Sequence, residues 1–204
     1  MAKIVLIGGG SASGKTCVLH KVLEKLPKDK ITFISLDDYY KDFSVLPMSE
    51  RASINFDHPK AFDWPLLRTQ INDLKNGKAI DKPIYDFVIH GRKKETEKVE
   101  PKELILIEGI MALVNKDLRN MGDLKVFINA SREKRLVRRI ARDTKERGRT
   151  YESVVEQYFA SVQPMFEEII GPSQYYADLI INNEGLSNNS IDVLASVLNN
   201  MLEK

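Results

Sequence analysis

A glycine-rich segment near the N-terminus constrains this chain more than any other feature. The apolar run at residues 4–7 leads directly into Gly9-Gly10-Ser11-Ala12-Ser13-Gly14-Lys15-Thr16, a full match to the pattern G-x-x-x-x-G-K-[ST]. Behind it, Val18, Leu19 and Val22 recur at the spacing of one helical face. Glycines let backbone N–H groups turn inward around phosphate oxygens, where side chains would collide. The segment therefore predicts a strand, a phosphate-binding loop and a helix, in that order.

Two side chains of this loop carry the chemistry of nucleotide binding. Lys15 can reach the β- and γ-phosphates of a nucleoside triphosphate, and the Thr16 hydroxyl can ligate Mg²⁺. An ordinary glycine-rich turn is the alternative, which the preceding strand and the following helix disfavour. The predicted ATP-binding residues of the loop are Gly9, Gly10, Ser11, Ala12, Ser13, Gly14, Lys15 and Thr16. The loop does not define the acceptor, because ATPases, GTPases, motors and small-molecule kinases share it.

Five short apolar runs indicate a sheet that is covered on both faces. None alternates cleanly with polar residues, and they lie at residues 4–7, 31–34, 104–107, 126–128 and 179–181. Helical patterns separate several of them: one stops before Pro27, another ends at Gly77, and a third has Ser190 as its expected N-cap. Strands that alternate with helices imply right-handed crossovers. We therefore predict an α/β protein, a three-layer P-loop NTPase fold with a five-stranded parallel sheet.

Two stretches fall outside this alternation. Residues 39–63 form a loop-like region rich in Asp, Ser, Pro and aromatic residues, and residues 83–99 have the pattern of a small β-hairpin insertion. Long irregular segments in a compact domain are usually binding loops. The sequence has no internal repeat and no Pro/Gly-rich linker. We therefore predict a single domain, residues 1–204, in which these two insertions bind the second substrate.

Composition excludes several other classes of protein. The chain has 31 Lys and Arg residues against 29 Asp and Glu residues, and a net charge of +2 argues against nucleic-acid binding driven by total charge. Its longest apolar runs, of four or five residues, are too short to span a membrane. Cys17 has no partner for an intrachain disulfide, and we expect it to be a small packed side chain. We predict a cytoplasmic protein that binds neither membrane nor nucleic acid.

Carboxylates follow two of the predicted strands. Glu108 comes directly after the third apolar run, and Asp37 comes shortly after the second. Each could be an ordinary exposed turn residue, but ligands of parallel sheets bind beyond the carboxyl ends of the strands. We predict Glu108 as a further oxygen ligand of Mg²⁺, and Asp37 as either the general base or a metal-linked carboxylate.

Arginines concentrate in residues 132–150. Nine basic residues lie there, and Leu136, Val137, Ile140 and Ala141 add an apolar strip, so the segment predicts an amphipathic helix with a basic face. A solvated surface is one interpretation. A nucleic-acid-binding patch is another, although no aromatic or glycine pattern accompanies it. The third, which we favour, is an arginine-rich lid that closes over transferring phosphates and bends at Gly148.

Together these residues resemble the uridine kinase (uridine–cytidine kinase) family of P-loop nucleoside kinases. The matching segments cover roughly residues 3–182 in the family's order: 9–16, 37–40, 55–59, 83–87, His90-x-Arg92, 108–109, 138–143, 146–149, 157–158, 164–167 and 176–178. The phosphate-binding loop is generic. The Asn-Phe-Asp-His-Pro block at 55–59 and the Tyr-Asp-Phe block that precedes His90 are more specific.

The resemblance implies a role for each predicted site residue. Asp37 would be the base near the ribose 5′-hydroxyl and would also touch Mg²⁺, with Thr16 and Glu108 completing the metal site. Asp57 with Arg149 would hold the ribose hydroxyls. Tyr85, Phe87 and His90 would form the pyrimidine pocket with Gln157 nearby, and Arg92 is a further predicted substrate-binding residue. Lys15 and a phosphate-clamping lid would act on the donor, the lid through Arg139, Arg142 and Arg147. Taken alone, His90 also fits a capping residue, Asp57 an Asx turn, and the two aromatic residues a hairpin core.

The function implied is phosphorylation of uridine and cytidine at the 5′-hydroxyl, with Mg²⁺ and with ATP or GTP as donor, by a homotetramer. Asp38 stands where the family commonly has Ser, and Trp64 and Gly91 are also unusual. These departures leave the preference between uridine and cytidine open. Two alternatives remain: a related kinase such as phosphoribulokinase or pantothenate kinase, and a nucleotide-dependent regulator or nucleic-acid-binding ATPase. A GTPase is disfavoured, because Asn115-Lys116-Asp117 lacks the spacing of the guanine-binding motif.

Overall fold

Parallel strands form the centre of the molecule, in a computed structural model that describes residues 1–52 and 54–203. The strands are β1 (Lys3–Gly8), β2 (Ile31–Ser35), β3 (Ile80–Asp86), β4 (Gly91–Val99), β5 (Leu104–Glu108), β6 (Leu124–Asn129) and β7 (Leu179–Asn182). The helices are α1 (Lys15–Leu23), α2 (Met48–Ala52), α3 (Trp64–Lys75), α4 (Lys116–Met121), α5 (Arg132–Glu146), α6 (Tyr151–Gln157), α7 (Gln163–Met165) and α8 (Asn188–Glu203). Five strands make the main sheet in the order β2-β5-β1-β6-β7, and all its pairs are parallel.

The sheet is buried on both faces, which explains why its strands are continuously apolar. Along β1, Ile4 and Leu6 join one apolar cluster, which α3 and α4 cover, while Val5 and Ile7 join a second cluster, which α1 and α8 cover. Successive side chains of a strand point to opposite faces, so a strand between two helical layers has no face left for polar residues. The predicted three-layer α/β fold is confirmed.

The register of the sheet brings three chain segments to one edge. Ile7 of β1 pairs with Glu108 of β5, and Ser35 of β2 also pairs with Glu108. The loop after β1 and the turn after β2 therefore emerge beside Glu108. Asp37 lies in that turn, a short 3-10 helix in which the Ser35 hydroxyl accepts a hydrogen bond from the Asp37 backbone N–H at 3.3 Å.

The expected hairpin is the antiparallel pair β3 and β4, which begins at Ile80, earlier than predicted. His90 lies at its tip with a φ of +48°, in the left-handed region that non-glycine residues seldom adopt. Of the region 39–63, the described residues 39–52 and 54–63 are largely irregular, as expected, but they also contain α2 and a 3-10 turn at Pro59–Ala61. An antiparallel bridge between Tyr40 and Phe62 joins the two ends of this region.

Two details of the helices differ from expectation. Ser190 does not cap α8, because the helix already begins at Asn188; the Ser187 hydroxyl instead accepts a hydrogen bond from the Ser190 N–H at 3.4 Å. In α5 the buried side chains are the polar ones, Arg135, Arg139 and Asp143, whereas Val137 of the apolar strip is 65% exposed. The amphipathic pattern therefore located the helix, but its charged face packs inward.

Candidate active site

A cavity of about 830 Å³ runs from the glycine-rich loop to the β3–β4 hairpin. It lies at the carboxyl edge of the sheet, where the register converges on Glu108. The predicted site residues in its lining are Ser11, Ala12, Gly14, Lys15, Thr16, Asp37, Asp57, Tyr85, Phe87, His90, Glu108, Arg139, Arg142, Arg147, Arg149 and Gln157. Residues that are far apart in the sequence thus share one space.

The loop at the first end of the cavity requires its glycines. Gly9 and Gly14 have φ angles of +143° and +88°. A Cβ on Gly9 would lie 2.3 Å from the Ile128 carbonyl oxygen, and one on Gly14 would lie 2.3 Å from the Asn183 side-chain nitrogen. A Cβ on Gly10 would lie 2.9 Å from the Phe166 ring. Conformation and close packing therefore both disfavour a side chain at Gly9 and Gly14, and close packing alone disfavours one at Gly10.

Lys15 is buried inside this loop. Its ammonium donates to the backbone carbonyls of Gly9 and Gly10, both at 3.1 Å. Burial lowers the pKa of Lys15, and the nearby carboxyl groups of Glu108 and Asp37 act in the opposite direction. A buried cation among carbonyls and glycine N–H groups is a site that an anionic ligand would stabilise.

Thr16 and Glu108 form the second polar group at this end. The Thr16 hydroxyl lies 3.2 Å from each carboxyl oxygen of Glu108. Burial raises the pKa of Glu108, and the charge of Asp37 raises it further, so the two carboxyl groups are electrostatic neighbours. A hydroxyl and two carboxylates are hard oxygen donors, which suit Mg²⁺.

These three groups fit a magnesium ion that keeps water or phosphate as its other ligands. Mg²⁺ is commonly held by one or two carboxylates together with substrate phosphates. Within residues 1–52 and 54–203, no group of three or more His, Cys, Asp and Glu side chains has the geometry of an all-protein metal site. The predicted set of Thr16, Asp37 and Glu108 contains only two carboxylates, so it does not require such an all-protein metal site.

Aromatic rings surround the other end of the cavity. The Tyr85 and Phe87 rings lie 5.3 Å apart, Tyr40 lies 5.1 Å from Tyr85, and Phe56 stacks on His90 at 5.3 Å with planes 16° apart. Tyr40 and Phe56 line the cavity as well, although they were not among the predicted site residues. Both residues lie inside segments that resemble the uridine kinases, 37–40 and 55–59, and this resemblance was the sequence signal that could have identified them.

His90 is held as a neutral imidazole. Burial lowers its pKa, and the charges of Arg149, Arg147 and Arg51 lower it further. Arg51 is close because its guanidinium donates to the Ile89 carbonyl at 3.0 Å, at the hairpin tip. A neutral imidazole offers one donor and one acceptor, so it can bind the polar edge of a flat ligand in two ways.

Asp57 lies in the cavity wall with only 5% of its surface exposed. Its backbone N–H donates to the Asn55 side chain at 3.0 Å, so Asn55 makes the Asx turn and the Asp57 carboxyl group remains free of that role. Burial raises the pKa of Asp57, while the charges of three arginines, led by Arg139, oppose the shift. The carboxyl group is thus an acceptor placed close to Arg139, Arg142 and Arg147.

Asp143 organises those arginines. It is fully buried in α5, with the Nε atoms of Arg142, Arg139 and Arg147 at 2.8, 3.4 and 3.6 Å from its carboxyl oxygens. Burial alone would raise the pKa of Asp143, but the Arg142 hydrogen bond and the arginine charges hold it below its ordinary value. Asp143 was not a predicted site residue. Arg139 lies four residues before Asp143 and Arg147 lies four residues after it, and this spacing was the sequence signal for the ion pairs.

Gln157 links two further arginines. Its side-chain oxygen accepts from Arg139 at 2.9 Å and also from Arg149. Arg139 also donates to the Ser11 hydroxyl at 2.7 Å, which joins α5 to the phosphate-binding loop. Arg149 donates to the Ser153 hydroxyl at 2.7 Å. Side chains of α6 and of the phosphate-binding loop therefore hold these two arginines in place.

Arg147 lies at the other end of the cavity. Its guanidinium lies over the Phe87 ring, 4.1 Å from the centroid, and burial lowers its pKa. The arginines of this region therefore contact the phosphate-binding loop through Arg139 and the aromatic end through Arg147.

Arg92 and Cys17 are placed differently from expectation. Both terminal nitrogens of Arg92 lie 3.2 Å from an Asp63 oxygen, and its Nε donates to the Tyr40 carbonyl at 2.8 Å. Arg92 is not among the described residues that line the cavity, so the structure assigns it to joining β4 and the 39–63 loop. Cys17 was expected to be packed, but it is exposed and lines the cavity near Lys15.

Among the residues that the structure describes, no helix is both long enough and apolar enough to cross a bilayer.

Comparison with known proteins identifies the family of this chain. The model of the Phosphoribulokinase / Uridine kinase family matches residues 4–190. The uridine kinase of Lactobacillus helveticus is 44% identical over 98% of this chain and 96% of its own length, and that of Lactococcus lactis subsp. cremoris is 45% identical over 98% and 100%. The fold is similar to that of D-glycerate 3-kinase from Cryptococcus neoformans, with a TM-score of 0.67, 19% identity, and 89% and 86% of the two chains covered.

The glycine-rich loop, the converging carboxylates and the full-length similarity lead to one assignment. The chain is a kinase that belongs to the phosphoribulokinase/uridine kinase family.

Proposed function

We propose that this kinase transfers the γ-phosphate of ATP to the 5′-hydroxyl of uridine and cytidine, giving UMP and CMP in pyrimidine salvage. The observation that carries the proposal is the continuity of the cavity: one space of about 830 Å³ is lined by Lys15 and Glu108 at one end and by Phe87 and His90 at the other. The relatives named uridine kinase, at 44% and 45% identity, support a nucleoside as acceptor.

The aromatic end suits a pyrimidine nucleoside. A flat base needs apolar ring faces and a few polar groups on its edge, and Tyr85 and Phe87 with the neutral His90 offer that combination. Ribose hydroxyls can donate to a carboxylate and accept from a guanidinium. Asp57 and Arg149 line the same cavity and would serve these two roles.

The opposite end suits the triphosphate. Residues 9–16 would cradle the phosphates through backbone N–H groups, with Lys15 on the transferring group. Arg139, Arg142 and Arg147 would neutralise negative charge as the transfer proceeds. Mg²⁺ bound by Thr16, Asp37 and Glu108 would shield the phosphate charges.

Asp37 would accept the proton of the acceptor hydroxyl. The nucleoside 5′-oxygen forms a bond to the γ-phosphorus while the bond from that phosphorus to the β–γ bridging oxygen breaks, and ADP leaves. Asp37 is an electrostatic neighbour of Lys15 and of Asp57, which supports a position between the phosphate and ribose ends.

We also propose that the enzyme is cytoplasmic and assembles as a homotetramer. The resemblance of the motifs to the uridine kinases supports both features. Analytical ultracentrifugation of the purified chain tests the assembly, and a monomer at micromolar concentration would contradict it.

A panel of nucleosides tests the reaction. With ATP and Mg²⁺, we expect ADP release with uridine and cytidine, and slower release with the 2′-deoxynucleosides, because the ribose contacts of Asp57 and Arg149 would be incomplete. Absence of turnover with both ribonucleosides would overturn the proposed function. Replacing ATP by GTP in the same assay defines the donor.

A further inference from the structure

One ion pair connects the turn that carries Asp37 to the hairpin that carries the aromatic pocket. The Lys82 ammonium, on β3, contacts the carboxyl group of Asp38, and the other Asp38 oxygen lies 3.4 Å from the backbone nitrogen of Tyr85. The Lys82 side chain is 8% exposed and that of Asp38 is 22% exposed. Both carboxyl oxygens of Asp38 thus contact the hairpin.

Such a contact fixes geometry more strongly than a surface ion pair does. Removing one partner of a buried pair leaves an uncompensated charge, so the two groups stay together. Asp38 is one residue from Asp37 within the 3-10 turn Leu36–Tyr39, and Lys82 lies three residues before Tyr85 on the same strand. A displacement of the hairpin is therefore transmitted directly to the turn.

A second connection runs parallel to the first. The Tyr39 hydroxyl donates to the Gln70 side-chain oxygen at 2.7 Å, and the Gln70 amide donates to the Asp81 carbonyl at 2.8 Å. Tyr39 is fully buried. The turn is consequently joined to the start of β3 by two adjacent residues, Asp38 and Tyr39.

We propose that Asp38 and Lys82 are positioning residues, which align the pocket for the nucleoside base with the carboxylate of Asp37. The inference rests on the proposed function, because it assigns the pocket to the base and Asp37 to the acceptor hydroxyl. Misalignment of the two lowers the fraction of bound substrate that is poised to react, since small displacements of reacting groups reduce the rate strongly. The effect belongs to kcat, and nucleotide binding at residues 9–16 is independent of it.

The chain supplies a matched control for this pair. Glu97 contacts the same Lys82 ammonium at 3.2 Å, but it lies opposite Lys82 on β4, within the hairpin, and its side chain is 59% exposed. Glu97→Gln therefore removes an ion pair from Lys82 without removing a connection between the hairpin and the turn.

The test is a double-mutant cycle read by kcat for uridine, KM for ATP and the thermal unfolding midpoint. We expect Lys82→Met and Asp38→Asn each to lower kcat about tenfold, and the double variant to lose no more than either single one, since both remove the same interaction. The KM for ATP and the slow hydrolysis of ATP without nucleoside stay unchanged. Glu97→Gln keeps wild-type kcat.

The double variant keeps the test decisive if a single variant folds poorly, because it leaves neither charge buried alone. A double variant with wild-type kcat would overturn the proposal, as would independent, multiplying losses or an equal loss in Glu97→Gln. A wild-type chain that turns over no nucleoside at all would instead overturn the proposed function, so the two failures are distinguishable.

Discussion

The two ends of the cavity are built in opposite ways. At the phosphate end, one short loop lines the cavity through Ser11, Ala12, Gly14, Lys15 and Thr16, and its shape comes from the backbone, with Gly9 and Gly14 at positive φ. At the acceptor end, the wall comes from separate segments of the chain, around Tyr40, Asp57 and Tyr85. Those segments meet through side-chain contacts, together with the backbone bridge between Tyr40 and Phe62.

This difference determines how each end responds to substitution. A backbone cradle depends on conformations that only glycine adopts freely, so a single added methyl group disturbs it. A pocket of side chains tolerates small changes better, because neighbouring rings can repack. Asp37 lies between the two ends, and its substitution should affect the chemical step more than the binding of either substrate.

The largest effect is expected for Asp37→Asn. An amide cannot accept the proton of the attacking hydroxyl, so kcat should fall between about 10²- and 10⁴-fold, the usual range for loss of a general base. Steady-state kinetics with uridine, together with calorimetric titration of ATP, measures both consequences. Binding of ATP should persist, since residues 9–16 are unchanged.

Asp42→Asn is the matched control for that substitution. Asp42 belongs to the same acidic stretch, but its carboxyl group accepts from the backbone and hydroxyl of Ser44, at 3.0 and 2.9 Å. We expect nearly wild-type kcat. Equal losses in the two variants would remove the assignment of Asp37 as the base.

The same contrast explains how much the sequence could reveal. The loop at residues 9–16 and the carboxylates Asp37 and Glu108 were located from local pattern, because a parallel sheet brings the ends of its strands to one edge. The individual residues of the acceptor end rested on the resemblance to uridine kinases. Taken singly, Asp57 fits an Asx turn and His90 fits a capping residue as well as either fits a substrate-binding role.

Other features depended on contacts that no local pattern encodes. Asp143 gathers three arginines because α5 buries its charged face, the reverse of the usual amphipathic rule. Arg92, two residues from His90, was assigned to the substrate, but Asp63 on a separate segment binds it. The aromatic wall includes Tyr40 and Phe56, which lie 16 residues apart in the sequence and contact each other and Tyr85 of the hairpin only in the folded chain.

A glycine pair sharpens the comparison at the phosphate end. Alanine at position 14 would have to adopt a left-handed backbone conformation, and its Cβ would lie 2.3 Å from the Asn183 side-chain nitrogen. Alanine at position 77 would also have a positive φ, +78°, but its Cβ would meet nothing within 4 Å. We expect Gly77→Ala to lower the free energy of unfolding by about 1–2 kcal/mol, from conformation alone. Gly14→Ala should add about 1–3 kcal/mol for the steric contact and raise the KM for ATP.

Urea unfolding of both variants, with kinetics for ATP and uridine, measures these differences. Because Gly77 lies beyond the end of α3, its variant reports the conformational cost without altering the cavity. If Gly14→Ala were as stable as Gly77→Ala and bound ATP normally, the phosphate end would not depend on the close packing of Gly14 against the Asn183 side chain.

The smallest effect concerns the protonation of His90 at the acceptor end. Burial and the charges of three arginines lower its pKa below 6.5, so the imidazole is neutral at pH 7 and acquires a proton only on further acidification. We expect kcat/KM for uridine to be constant as pH falls from 8 to 6.5, and to decline a few-fold below pH 6.5, where protonation replaces an acceptor by a donor. Since kcat/KM reports the free enzyme, His90→Gln should show a flatter profile over that acidic range, with His20 and His58 unchanged as internal controls. If wild type and His90→Gln show the same decline in kcat/KM, the decline belongs to the titration of another group. Base recognition would then rest on the aromatic rings without the imidazole.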